Sequence, residues 1–163
     1  MFRPADECHV VEDNPTPTIH LRDSQQNEQQ FPGRVIAEDH SVDLALIQLS
    51  GATGLSVAPL ADSSTQVQVG DRVYALGSPV GFHWKLTQSQ VIAVQSQCGV
   101  FGLKCIRMPK GFLHPGNSGG PLLDQTGQVI GINRALQSTT GEGVSIPIET
   151  VKDFLRRQGQ LPN

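Results

Sequence analysis

A chain of 163 residues is the size of one ordinary domain, and 37% hydrophobic with 17% charged residues excludes wholesale disorder. Seventeen glycines and 11 prolines are too few for a collagen-like or low-complexity chain but imply many turns. Twelve basic against 15 acidic residues, a net charge of −3 and no basic run point away from nucleic acid and anionic membrane; no apolar run reaches the roughly 18–20 residues of a membrane span, and Met1-Phe2-Arg3-Pro4-Ala5-Asp6-Glu7 lacks the apolar stretch of a secretory signal.

Short apolar runs broken by turn residues dominate the pattern. Thr18 to Arg22 alternates as a half-buried strand, Asp23 to Gln30 reads as a polar loop, and Phe31 to Ala37 resumes a strand. Further strands are predicted at Leu44 to Leu49, Arg72 to Leu76, Leu86 to Val94, Leu103 to Met108, Gly120 to Leu123, Gln128 to Asn133 and Val144 to Ile148. Turn signals separate them, among them Asp62-Ser63-Ser64, Val69-Gly70-Asp71, Gly77-Ser78-Pro79 and Gln125-Thr126-Gly127. Many short strands at this spacing indicate an all-β barrel or sandwich. One helix is predicted, at the C-terminus. Ile148, Val151, Phe154 and Leu155 form one apolar stripe, Glu149 suits the positive end of the dipole, Arg156 and Arg157 the negative end, and Gly159 stops the helix. The small-residue segment Gly51 to Ser64 suits a join between two sub-barrels, giving units of 1–56 and 57–163.

Three cysteines, Cys8, Cys98 and Cys105, are no disulfide framework. A Cys98–Cys105 bridge requires an oxidising compartment, and two small thiols are the plainer reading. A zinc site from these cysteines and His114 lacks a C-x-x-C pair.

The most informative stretch is Pro115-Gly116-Asn117-Ser118-Gly119-Gly120-Pro121-Leu122. A serine hydroxyl attacks a carbonyl only when a tight turn exposes it beside backbone N–H groups aimed at the developing oxyanion. Glycines around Ser118 permit such backbone angles and keep bulk away from an approaching peptide. A plain glycine-rich β-turn is the alternative. A phosphate-binding loop is disfavoured, because neither G-x-x-x-x-G-K-[ST] nor G-x-G-x-x-G occurs.

With Gln128-Val129-Ile130-Gly131-Ile132-Asn133 following, this motif resembles the trypsin-like serine proteases of the HtrA/Deg type. Asp43-Leu44-Ala45-Leu46-Ile47-Gln48-Leu49 resembles that family's aspartate strand, Gly70 to Pro79 the opening of its second barrel, and Cys8-His9-Val10-Val11-Glu12-Asp13 the end of its histidine segment. The resemblance runs in order from about residue 8 to residue 157. It implies a chymotrypsin-like double β-barrel, all-β, with a C-terminal α-helix. It also implies Ser118 as nucleophile, His9 as general base and Asp43 as the orienting acid, in the chain order of the trypsin fold. The N–H groups of Gly116 and Ser118 would form the oxyanion hole. No cofactor or metal is implied; the partners are polypeptide substrates, unfolded protein among them, with homo-oligomers open and an extracytoplasmic location such as the periplasm.

Trypsins place an aspartate six residues before the serine. Phe112 stands there with Leu113 beside it, which implies an apolar pocket for small or aliphatic side chains. Val144-Ser145-Ile146 is expected as the strand edge on which an extended peptide adds. Asn117 replaces the aspartate that pairs with a freed N-terminus in chymotrypsin-type zymogens, so activation by that cleavage is not expected. His20, mid-strand, reads as a surface histidine and His40 as too close to Asp43 to partner it. His83 and His114 follow the aspartate against family order, and His114 could line the groove. Asp13, Asp39 and Asp71 read as turn or surface acids.

The family has about three strands before its histidine, and Phe2 to Cys8, holding Pro4, Asp6 and Glu7, is not expected to replace them. The first barrel is therefore expected to be incomplete, keeping strands near 18–22, 31–37 and 44–49, and a protease without a peptide-binding PDZ module is expected. The alternatives to a working endopeptidase are a fragment, or a non-catalytic relative that binds peptides or proteins; esterase chemistry would share the triad.

Overall fold

The computed structural model describes residues 2–4, 8–11, 13–23, 27–78, 84–98, 103–136 and 140–162; His83, Glu12 and Pro79 lie outside them. The chain divides into two compact units, Met1–Val57 and Ala58–Asn163.

The first unit holds β1 (Phe2–Pro4), α1 (Cys8–Val11), β2 (Thr18–Arg22), β3 (Glu28–Asp39) and β4 (Leu44–Leu49). Its antiparallel sheet runs β1-β4-β3-β2. Alternation makes β2 a strand, with Ile19 turned into a core of Val11, Ala45 and Ile47. Ile47, fully buried, contributes about 2 kcal/mol by leaving water. Two expectations need correction. Glu28 to Gln30 belong to β3, not to a loop. Their exposed polar side chains suit a hairpin whose tip is closed by Asn27 donating from backbone and side chain to the Asp23 carboxylate, at 2.9 and 3.0 Å. Phe2–Pro4 also pairs, with β4, as the sheet's edge. An edge strand tolerates proline because one side of its ladder needs no donors.

The second unit holds β5 (Arg72–Gly77), β6 (Lys85–Gln90), β7 (Ala93–Cys98), β8 (Leu103–Lys110), β9 (Pro121–Leu123), β10 (Val129–Leu136), β11 (Glu142–Pro147) and α2 (Ile148–Arg157), with a 3-10 turn at Ser64–Gln66. The sheet order is β6-β5-β9-β10-β11-β8-β7, and β6 also meets β8, so the sheet curls. Its core gathers Val73, Ala75, Val91, Ile106, Met108, Phe112, Leu113, Leu122 and Ile130. The single strand expected over Leu86 to Val94 is two. The chain turns at Val91, whose N–H donates to Asp71 and whose carbonyl accepts from Gly70, and then crosses from β5 to β8.

The terminal helix forms on the expected stripe. Ile148, Val151, Phe154 and Leu155 are buried, and α2 packs on β10 and β11. It begins at Ile148, one residue inside the predicted strand, because Pro147 supplies the extended residue before the first turn. Gly159, at φ 68°, ends it: its N–H donates to Arg156 and that of Gln160 to Leu155, both at 2.9 Å, which is a Schellman closure. In the first turn, the Glu149 carboxylate accepts from the Ser63 hydroxyl, the Ser64 hydroxyl and the Ser64 N–H, each at 2.5 Å.

Burial alone would push Glu149 up, but these bonds outweigh it and hold the acid below its ordinary value. A depressed pKa gives stability that is present above the ordinary glutamate range and lost as pH falls through the folded value. Glu149→Gln is therefore expected to cost about 1 kcal/mol at neutral pH, after discounting for solvent screening. The difference from the parent chain should close in acid. Urea unfolding of both proteins across pH 3 to 7 checks this, and a gap independent of pH would refute it.

Candidate active site

Ser118 sits half-buried in the loop between β8 and β9. Gly116 adopts φ 97°, a conformation that L side chains resist, and this turns the chain sharply just before the serine. Hydrogen bonds fix the rest of the loop. The Asn117 N–H donates to His114 at 2.9 Å, that of Gly119 to Asn133 at 3.0 Å and that of Gly120 to Asn117 at 3.0 Å. The Gly116 carbonyl accepts from the Ser78 N–H at 2.8 Å. Among the described residues, the N–H groups of Gly116 and Ser118 have no backbone acceptor. Two donors that flank Asn117 thus lack a backbone acceptor, while the N–H groups of Asn117, Gly119 and Gly120 are used. Asn117 is 1% exposed, and both polar atoms of its side chain lack a partner among the described residues. That burial costs about 1–3 kcal/mol per group.

Sequence reasoning assigned no role to Asn133, yet it holds this loop. Its N–H donates to Gly120 at 2.8 Å and its carbonyl accepts from Gly119. Its side-chain Nδ2 donates to the Pro121 carbonyl at 2.9 Å, and its Oδ1 accepts from the Ser145 hydroxyl at 3.0 Å. Asn133 and Ser145 are both 0% exposed. The available signal was an asparagine closing the apolar run Val129-Ile130-Gly131-Ile132, a place where strands seldom carry one.

In the first unit, His9 lies on the one-turn helix α1, which packs on β3 and β4 through the buried Val11. The side chains of Cys8 and His9 fall outside the described part. Asp43 closes the turn from His40 into β4. It is 7% exposed and adopts φ 57°. A left-handed, buried aspartate is a costly arrangement of the kind that accumulates at functional sites. The α1 helix and the strand that follows Asp43 are thus packed together within one unit.

The rival residues are engaged or exposed. His20 Nδ1 lies 2.6 Å from the Glu28 carboxylate on the neighbouring strand, at an exposed position. His40 and His114 are exposed. Asp39 accepts from Ser41, and Asp71 from the Gln68 N–H. Phe112 and Leu113 are buried in the core of the second unit, Leu113 against Gly143. The expectation that Val144-Ser145-Ile146 offers a free strand edge is corrected. Val144 pairs with both Arg134 and Arg107, and Ser145 with both Asn133 and Ile106. A strand with neighbours on both sides has no ladder left to offer. By contrast β9 pairs with β10 only as far as Ile132, and the next residue, Asn133, bonds to the loop that follows Ser118.

Cys105 is 2% exposed and disulfide-bonded, so the reading of plain thiols does not hold, and its sulfur is no thiolate for zinc. Ser96 on β7 opposes Cys105 and Cys98 opposes Leu103; the Cys98 side chain lies outside the described part. Glu142 pairs with Arg107 across β11 and β8, and this guanidinium holds the acid below its ordinary value.

A family model described as a trypsin-like peptidase domain matches residues 6–132. A putative serine protease, HhoA, of Synechocystis is 37% identical, over 96% of this chain and 41% of its own length. The serine protease Do-like HtrB of Bacillus subtilis is 33% identical, over 94% and 35%. A probable periplasmic serine endoprotease, DegP-like, of Chlamydia pneumoniae is 34% identical, over 94% and 32%. The chain therefore spans about two-fifths or less of the length of these relatives. Among solved structures, Deg5 superposes with a TM-score of 0.76 at 26% identity, covering 90% of this chain and 73% of that one. A serine-to-alanine variant of the HtrA-type protease AlgW, with a tripeptide, gives a TM-score of 0.76 at 25% identity, covering 92% and 50%. The fold is accordingly the all-β, chymotrypsin-like one with a terminal helix. From the glycine-framed serine, the order of its strands and these likenesses together, the chain belongs to the trypsin-like peptidase family, among relatives of the HtrA/Deg type.

Proposed function

We propose that this chain is a serine endopeptidase. Ser118 Oγ attacks the scissile carbonyl while the His9 imidazole takes its proton. The oxyanion rests on the N–H groups of Gly116 and Ser118, each worth on the order of 3 kcal/mol in the transition state. Protonated His9 then gives its proton to the leaving amine, and water resolves the acyl-enzyme by the same steps reversed. Asp43 keeps the imidazole in the tautomer that accepts from serine and stabilises the imidazolium. His9 and Asp43 belong to the first unit and Ser118 to the second. The mechanism requires the imidazole to reach the hydroxyl.

The observation that carries this reading is the pattern of donors around Ser118: the N–H groups of Asn117, Gly119 and Gly120 are bonded, and those of Gly116 and Ser118 are not bonded to any backbone acceptor among the described residues. The buried left-handed Asp43 is a second support. Phe112 in place of an acid favours small or aliphatic residues before the cleaved bond. The extended substrate adds beside β10 beyond Asn133, where β9 has ended. The relatives named periplasmic and the disulfide at Cys105 support an extracytoplasmic setting, since disulfides persist in oxidising compartments.

A fluorophosphonate probe tests the assignment. Labelling is expected on Ser118, lost in His9→Ala and kept in His20→Ala. Casein should be cleaved at rates that a small nitrophenyl ester alone would not reveal. A folded chain never labelled at Ser118 would instead be a peptide-binding relative.

A further inference from the structure

We infer that Asn133, itself held by Ser145, is a positioning residue for the reactive loop; the inference rests on the reading of Ser118 as nucleophile. Four polar groups of Asn133 are committed. Its backbone N–H and carbonyl clasp Gly120 and Gly119, the two residues after the serine. Its side-chain amide reaches further along the same segment to the Pro121 carbonyl. Successive points of the chain from Gly119 to Pro121 are thereby tied to one residue of β10.

Backbone pairing alone would hold a β-bridge, but it would not fix the turn. The side-chain bond to Pro121 adds a contact beyond the ladder, and its direction depends on which end of the carboxamide faces the loop. The Pro121 carbonyl, which can only accept, sets that direction, and the amide is held there by Ser145. Ser145 sits opposite Asn133 on β11 and opposite Ile106 on β8, a row whose side chains share one face of the sheet. Ile106 belongs to the core of the unit, so that face is the buried one. The Ser145 hydroxyl donates to Oδ1, which leaves Nδ2 for Pro121. A flipped amide would set Oδ1 against the Pro121 carbonyl in a site sealed from water, where two facing acceptors are costly. The pair thus selects one orientation of the amide, and with it one position of the segment that follows Ser118. Oxyanion donors act only at their productive geometry, and a displacement of about 1 Å costs on the order of 10²-fold.

The test is Asn133→Leu, close in size to asparagine and without polar atoms, and Ser145→Ala, both in the full chain. Active sites are first titrated with the fluorophosphonate, so that kcat refers to folded, reactive molecules. Asn133→Leu is expected to lower kcat by about 10- to 100-fold with KM changed little, because the lost positioning matters in the transition state. Ser145→Ala is expected to lower kcat less, and Ser145→Thr, which retains the hydroxyl, to recover it. A lower melting temperature with unchanged kcat per titrated site would reduce Asn133 to a structural role and overturn the inference. Amide resonances of Gly116 and Ser118 provide a readout independent of turnover. They are expected to shift in Asn133→Leu, and unmoved resonances overturn the positioning. An inert parent chain with shifted amides would instead defeat the protease reading and leave the positioning supported.

Discussion

Ser118→Ala is expected to lower kcat on a peptide substrate by a factor on the order of 10⁶, about 8 kcal/mol of transition-state stabilisation. The reasoning is chemical. Alanine leaves the loop intact, since Ser118 is half-buried and the hydrogen bonds that shape the turn belong to Asn117, Gly119, Gly120 and Asn133. What disappears, on the proposed mechanism, is the atom that bonds covalently to the substrate. His9→Ala should fall about as far, and the double variant no further, because a nucleophile and its base would act as one unit. Asp43→Asn should cost on the order of 10⁴-fold by favouring the wrong imidazole tautomer. KM should move little throughout, and unfolding midpoints should stay near those of the parent. A loss under tenfold in Ser118→Ala would place the chemistry elsewhere, and additive losses would break the unit into unrelated parts.

What the sequence could show of this arrangement depended on how local each signal was. The stripe Ile148, Val151, Phe154 and Leu155 with Gly159 behind it specified α2, because helix period and stop signal both lie within one short segment. The glycine-framed serine was legible for the same reason. The corner at Val91 was not: an alternating pattern stays unbroken while the strand exchanges β5 for β8, and partner choice is a non-local property. β1 was hidden by Pro4, whose missing donor matters only if the strand has two neighbours. The edge expected at Val144 failed likewise, since alternation cannot say whether a strand is flanked on both sides. Asp43 was read as an acid, but nothing in the sequence announced its left-handed backbone. Asn133 was passed over because its four bonds reach residues 12 or more positions away.

The second large effect is on stability, at Gly120. A Cβ there would stand 2.1 Å from the Leu76 carbonyl oxygen and 3.0 Å from that of Asn117, and both are backbone atoms. Leu76 cannot step aside cheaply, because β5 is held by β6 along its length and by β9 at Tyr74 and Ala75. Asn117 cannot either, since its carbonyl accepts from Gly120 and its N–H donates to His114. Gly120→Ala is therefore expected to destabilise the protein by about 4 kcal/mol or more, among the largest single-residue effects. At this chain length that is a fall in melting temperature on the order of 10 °C. Gly127 makes the control. It adopts φ 81° with nothing within 4 Å of a built Cβ, so Gly127→Ala meets only backbone strain of about 1–2 kcal/mol. Thermal and urea unfolding of the two variants should separate them clearly. The surviving folded fraction of Gly120→Ala should also label slowly with fluorophosphonate, because with β5 held in place the clash with Leu76 is relieved by shifting Gly120 itself, two residues after Ser118. Equal unfolding midpoints for the two variants would mean that β5 yields to the methyl group, and that the close approach of Leu76 does not constrain the reactive loop.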